Sequence, residues 1–267
     1  MRLIRLAVAG MMAIGLGKSA LAADLPSRSS PTGPPMMAPF SWTGAYFGLN
    51  GGYNWGAATG SYRISSATLE MLPPLIPTID AAGSHQVRLQ GGLFGFQFGF
   101  NWELANSFVL GVEGDFDWSG LSGSIYNAGI VPVAGGPYSI SQRLKTDWLG
   151  TVRARAGLAP IDRLLVFATA GPAFTHIGYS SAFTDSFKEN EDVSINTTRV
   201  GWAVGAGAEY AFAANWSAKL DYLHSEFGAL SALGSTTLTD GTTAFVAHST
   251  GVLKLDAVRV GLNYRFD

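Results

Sequence analysis

The 267-residue chain has no cysteine, which removes disulfide frameworks, thiolate nucleophiles and sulfur-ligated metal sites and suits passage through an oxidising compartment. Charge is scarce as well. Asp, Glu, Lys and Arg make up 13% of the residues, about half the roughly 25% of an ordinary soluble domain. The 17 basic and 19 acidic side chains leave a net charge of −2, too weak and of the wrong sign to hold a polyphosphate, so nucleic acid is excluded as a partner. Beyond the first two dozen residues no apolar run reaches the 18 or more needed by a membrane-crossing helix. Catalytic signatures are missing too: there is no G-x-S-x-G, P-loop or H-E-x-x-H pattern. His224-Ser225-Glu226 gathers residue types used in nucleophilic catalysis, but on a strand His224 and Ser225 point to opposite faces and cannot share a proton. No enzyme activity and no cofactor are expected, a rim site assembled from several strands being the remaining enzymatic alternative.

What is present is apolar and small. Mean hydropathy is +0.20, and 34 glycines are close to twice the usual share of about 7%. The apolar content must therefore be dispersed in a period other than the helical one. Residues 1–22 combine Arg2 and Arg5, an apolar stretch and the small-residue end Ala20-Leu21-Ala22, the form of a secretory signal peptide. Residues 23–41 carry Pro26, Pro31, Pro34, Pro35 and Pro39 and read as a linker that would lie in the periplasm.

From residue 42 onward the pattern alternates. In GLFGFQFGFNWEL, Phe94, Phe96, Phe98, Phe100 and Trp102 share one parity while Gly95, Gln97, Gly99, Asn101 and Glu103 share the other, and only a strand puts those sets on opposite faces. The last stretch separates Val258, Val260, Leu262, Tyr264 and Phe266 from Arg259, Gly261, Asn263 and Arg265. Segments 42–55, 108–118, 145–158, 164–174, 199–212 and 216–227 follow, the fifth being the weakest because Pro172 interrupts it. A soluble sandwich also alternates, but its polar face would be rich in Lys, Glu and Thr. Here the second face is Gly, Ala, Asn and single charges, which suits a confined lumen.

Connections of three to five residues at 105–107, 159–163 and 213–215 alternate with four connections of roughly 16 to 30 residues, which places all short turns at one end and all long loops at the other. The expected fold is all-β: an eight-stranded antiparallel transmembrane β-barrel over 42–267 with short periplasmic turns and four long external loops. Interfacial aromatic girdles are expected from Trp42, Trp102 and Trp216 near the periplasmic rim and from Trp55, Trp118, Trp148 and Trp202 near the outer rim.

WTGAYFGLNGGYNWG at 42–56, VLGVEGDFDWSG at 109–120, DWLGTVRARAGLA at 147–159, GWAVGAGAEYAF at 201–212 and the closing VRVGLNYRFD resemble the small outer-membrane β-barrel antigens of alphaproteobacteria, filed under porin-family or OmpA-like transmembrane barrels. The resemblance implies a Gram-negative outer-membrane location more firmly than an activity. Such barrels end on an aromatic residue read by the barrel assembly machinery, which implies Tyr264 and Phe266 as the C-terminal assembly signal, although Asp267 follows. The chain stops with its last strand, so no cell-wall tether of the OmpA kind is expected.

Parity places Glu113, Asp115, Asp117, Arg153, Arg155, Glu209, Lys219, Asp221, Arg259 and Arg265 inside, five acids against five bases. Eight strands leave an interior only wide enough for side chains, and charges held there must be paired. A salt-bridged plug centred on Glu113 and Arg153 is expected, with a small porin or gated ion path as the alternative reading. His85, His176, His224 and His248 all map to the external side, a third reading being haem or metal capture. The apolar centre of the first loop, LEMLPPLIPTI at 69–79, would fold over the barrel mouth or meet a partner. The expected partners are outer-membrane lipid and lipopolysaccharide, the barrel assembly machinery, and a host or surface ligand at the external loops.

Overall fold

A computed structural model describes residues 40–65, 75–104, 107–131, 135–238 and 241–266; the expected signal peptide, the linker up to residue 39, positions 69–74 of the first loop and Asp267 lie outside the described residues. Eight strands form a ring: β1 (Gly44–Ser65), β2 (Gln86–Glu103), β3 (Phe108–Ile130), β4 (Pro137–Ile161), β5 (Leu164–Asp185), β6 (Glu191–Ala211), β7 (Trp216–Phe227) and β10 (Leu253–Arg265). Each pairs antiparallel with its neighbour, and β10 returns to β1 from Tyr46↔Arg265 to Ala57↔Lys254, which closes the ring. Closure leaves no open edge, the condition for strands in hydrocarbon. Pro172, which demoted the fifth segment in the sequence, lies inside β5 opposite Trp202.

The strands run well past the expected segments. β3 and β4 stay paired out to Ile130↔Pro137, and β5 and β6 out to Phe183↔Glu191, so the second and third loops shrink to residues 131–136 and 186–190. The fourth loop holds two further strands, β8 (Leu230–Thr237) and β9 (Thr243–Thr250). β9 takes over the edge of β1 at Gly60↔Thr250 through Ser65↔Phe245, where β10 has ended. Of the four long external connections expected, the second and third are mostly taken up by these strand extensions and the fourth by the hairpin of β8 and β9. Their outward residues, such as Ser124, Tyr126 and Ala128, face water instead of acyl chains, and without an apolar outer face the alternation loses its contrast.

The wall also bends in register. Pairing shifts between Trp118 and Leu121 of β3 and between Thr146 and Leu149 of β4. Below the shift Leu149, Thr151, Arg153 and Arg155 are buried; above it Gln142, Leu144 and Thr146 are. A bulge inserts one residue and so exchanges the parity that faces inward.

The interior is layered. At the short-turn end Trp42 packs with Val109, Leu165, Phe167 and Ala211. Charged residues follow, and then an apolar layer that includes Leu89, Leu93, Leu121, Leu144, Leu149, Leu223, Leu253 and Leu255. Outermost lies a cluster containing Tyr62, Tyr138, Ile140, Phe183 and Val246. Over it sits α1 (Leu75–Gly83), which buries Leu75, Ile79 and Gly83, residues four apart on one helical face. A side chain at Gly83 would place its first carbon 2.4 Å from the Tyr62 ring, so the close approach of helix to strand needs glycine. Asn127 and Gln142 donate to the carbonyls of Ala82 and Gly83 at 2.8 and 3.0 Å, satisfying acceptors that a helix end leaves open.

Candidate functional site: the buried ion-pair layer and the outer chamber

Nine of the ten charged residues assigned to the interior are almost fully buried: Glu113, Asp115, Asp117, Arg153, Arg155, Glu209, Lys219, Asp221 and Arg259. Antiparallel register sets Glu113 opposite Arg153 and Arg259 opposite Asp221, and tight curvature brings the remaining charges across the lumen. Arg153 lies 2.7 Å from Glu113 and 2.5 Å from Asp115. Arg259 joins Asp115 at 3.1 Å, Asp117 at 2.9 Å and Asp221 at 2.7 Å. Lys219 reaches Glu113 at 3.0 Å, and Arg155 pairs with Glu209 while its guanidinium stacks 3.9 Å over the Phe167 ring. Arg265 stands apart. It is half-buried at the end of β10, donates to the Ala214 carbonyl at 3.1 Å and lies 4.4 Å over the Phe40 ring. The layer therefore holds five acids and four bases, not five and five. Arg265 has inward parity, but its place at the end of β10 sets its guanidinium at the periplasmic mouth of the lumen, beside Phe40 and the Ala214 carbonyl, below the ion-pair layer.

Neutral groups complete the layer. Tyr46 donates its hydroxyl to Glu113 at 2.7 Å and accepts from Arg155 at 3.3 Å. Thr151 donates to Asp115 at 2.7 Å, and Ser217 and Asn263 donate to Glu209 at 2.5 and 2.8 Å. Inward parity could have identified all of these; attention to charge alone missed them.

Of the seven Trp residues, Trp55, Trp102, Trp118, Trp202 and Trp216 are exposed on the outward wall, and Trp148 is half-exposed and stacked 5.5 Å from Phe116. Trp42 is the correction: only 3% exposed, it fills the inner end of the lumen with Phe40 at 5.0 Å. It has the even parity of the inward-facing Tyr46, and parity outweighs position near a rim. Between the two aromatic levels the outward wall is apolar, with Leu49, Phe94, Phe98, Val112, Val152, Leu220, Val260 and Leu262 exposed. Tyr264 and Phe266 are exposed at the short-turn end of β10.

The histidines do not share a surface. His176 and His224 face outward, His85 follows α1, and His248 is buried inside the outer chamber. Among the described residues no group of three metal-ligating side chains forms. His224 sits between Asp256 at 2.7 Å and Glu226 at 3.5 Å, whereas Ser225 is buried on the other face. His248 has a constellation the sequence did not reveal. It contacts Glu191 at 2.9 Å and the Tyr179 hydroxyl at 3.3 Å, and Tyr62 donates to Glu191 at 3.2 Å. The four residues tie β9, β6, β5 and β1 together; burial, then the Glu191 charge, push the Tyr62 phenol up from its ordinary range.

The profile of the family described as outer membrane protein beta-barrel domain matches residues 32–266. The chain belongs to this family of outer-membrane β-barrel proteins. A 31 kDa outer-membrane immunogenic protein of Brucella melitensis is 36% identical over 255 residues, covering 93% of this chain and 94% of the relative. A 22 kDa outer membrane protein of Rhizobium leguminosarum is 28% identical over 196 residues, 72% of this chain and 68% of the relative. Among solved structures, the outer membrane protein OprG of Pseudomonas aeruginosa aligns over 85% of this chain and 99% of its own, with 10% identity and a TM-score of 0.43. For this outer-membrane barrel the apolar wall is the lipid-facing belt, the short-turn end faces the periplasm, and α1 with the extended hairpins stands outside the cell.

Proposed function

We propose that this protein is a sealed structural barrel that displays a folded β-rich layer on the cell surface for interaction with other surfaces. The observation that carries the reading is two obstructions in series. Five carboxylates, three guanidiniums and one ammonium interlock across the lumen, and a leucine-rich layer fills the same channel above them. An ion would have to break paired charges and then cross a close-packed, mostly apolar layer, each step costing several kcal/mol. Planar-bilayer recordings on refolded protein test this directly. Closed baselines are expected, and steady conductance overturns the seal. Because the leucine layer stays in place, Arg153→Ala alone should leave the baseline closed.

The surface role is supported by Tyr126, Ile130, Leu233 and Phe245, large apolar side chains exposed on the outer hairpins, where no acyl chain covers them. Tyr264 and Phe266 would serve the assembly machinery during biogenesis. A narrow ion path is the second reading, favoured by one observation: the buried layer holds one more acid than base, and an oxygen of Asp117 and one of Asp221 have no hydrogen-bond partner. Such a path would prefer cations, which a reversal potential measured under a salt gradient would show.

A further inference from the structure

On the outward wall just beyond the outer Trp level, β4, β5 and β6 frame a groove of about 360 Å³ lined by Arg143, Lys145, Gly178, Ser180, Ser194 and Asn196. Strand register builds it in two rungs. Arg143, Ser180 and Ser194 lie side by side across the three strands, and Lys145, Gly178 and Asn196 form the next rung. Arg143 makes no side-chain hydrogen bond or ion pair among the described residues. Lys145 has only a surface contact with Asp147 at 3.3 Å, both side chains nearly half exposed, and such pairs contribute little. Gly178 opens the floor: a side chain there would begin 2.9 Å from Lys145 Cε and 3.0 Å from Asn196 Oδ1.

Height decides what the groove meets. Lys145 is three residues above Trp148 on β4, roughly 10 Å along the strand and roughly 8 Å along the membrane normal at a tilt of about 40°. With Trp148 at the edge of the hydrocarbon, that puts Lys145 at the top of the headgroup layer, which adds about 5–8 Å on each side of the apolar core, and the Arg143 rung one step beyond it. Below the groove the wall is apolar, with Val152 and Val200 exposed.

We propose that the groove seats a phosphate of the phosphorylated glycolipid in the outer leaflet. Arg143 supplies a planar fork, Lys145 a point charge, and Ser180, Ser194 and Asn196 neutral donors, while the acyl chains lie on the apolar wall beneath. This rests on the surface-interaction reading and not on the sealed lumen, so a conducting barrel would leave it standing.

Native mass spectrometry of the full-length barrel from detergent, with added bis-phosphorylated or dephosphorylated lipid A, tests it. Wild type should retain the phosphorylated form about tenfold better, and Arg143→Ser/Lys145→Ser should lose that preference. Lys254→Ser, which removes an exposed lysine on the β10 wall paired with Glu226 at 3.0 Å, should keep it. Gly178→Val adds no charge change but fills the floor and should weaken retention several-fold, which preserves the test if the double variant does not fold. A heat-induced shift in gel mobility equal to that of wild type certifies each folded variant. Equal retention by the folded double variant, or no preference for the phosphorylated lipid in wild type, overturns the proposal. Complete displacement of the lipid by inorganic phosphate would show a free-anion site and overturn it as a lipid seat.

Discussion

Replacing Arg259 by Met tests whether the buried charges are a coupled unit. Arg259 is fully buried and touches three carboxylates, Asp115, Asp117 and Asp221, at 3.1, 2.9 and 2.7 Å. Two of them keep some compensation after the change. Asp115 retains Arg153 at 2.5 Å and the Thr151 hydroxyl at 2.7 Å, and Asp221 retains Lys219 at 3.8 Å. Asp117 loses its only ion-pair partner among the described residues. Methionine nearly preserves volume, so the loss is mainly an uncompensated buried charge, about 3–5 kcal/mol. With a denaturant slope of roughly 2–3 kcal/mol per molar urea, the unfolding midpoint of the barrel in lipid vesicles, followed by Trp fluorescence, should fall by roughly 1–2 M. Adding Asp117→Asn removes the orphaned charge and should recover about half of the loss, a coupling within the 0.5–3 kcal/mol typical of contacting residues. A midpoint within about 0.3 M of wild type for Arg259→Met, or strictly additive effects in the double variant, would refute the argument that these charges stabilise one another.

Glu191→Gln should loosen the outer layer while sparing the membrane ring, because the His248 and Tyr62 contacts join outer segments; faster proteolysis within β9 with an unchanged barrel midpoint is the expected pair of results. Alkaline pH should act on the same place. Since the folded Tyr62 phenol is raised above its unfolded value near 10, its contribution to stability is intact below about pH 10 and is lost as pH climbs beyond it, so amide exchange in β9 and α1 should accelerate there before the ring responds. Gly83→Val, which drives a carbon to 2.4 Å from Tyr62, should cost about 1–3 kcal/mol by overpacking and expose α1 to limited proteolysis, whereas Ala81→Val on the exposed side of the helix should not.

The membrane-crossing part of the wall was legible because two solvents enforce a strict contrast. Phe94, Phe98, Val260 and Leu262 meet acyl chains while Gln97, Arg259 and Asn263 meet the lumen, and period two writes that difference into the sequence. Beyond the rim the contrast vanishes, and β8, β9 and the outer reaches of β3 to β6 read as polar loops. The β4 bulge is silent for a related reason: Asp147 and Trp148 both suit an interface, so nothing in their identity marks the parity exchange. The charged residues were visible as inward parity, but not their partition, because Arg265 at a strand end is free to reach Ala214. The His248 and Glu191 pairing was out of reach since its members lie far apart in segments that looked irregular.

The order of the layers has its own consequence for how the interior is stabilised. An ionic layer alone would be weakly favourable, since desolvation of buried charges nearly cancels their attraction, and water entering from outside would compete for every partner. The leucine layer above it bars water from that side, and Trp42 with Phe167 narrows access from the periplasm. Kept dry at both ends, the ion pairs interact in a low dielectric and hold the strands in one register. The leucines gain in turn, because a barrel fixed in register presents Leu93, Leu121, Leu223 and Leu255 to one another at a constant spacing. Opening either layer should therefore weaken the other: Leu121→Ala, expected to cost about 2–5 kcal/mol as a cavity, should combine more than additively with Arg259→Met, and simple additivity in that cycle would show that the two layers merely coexist.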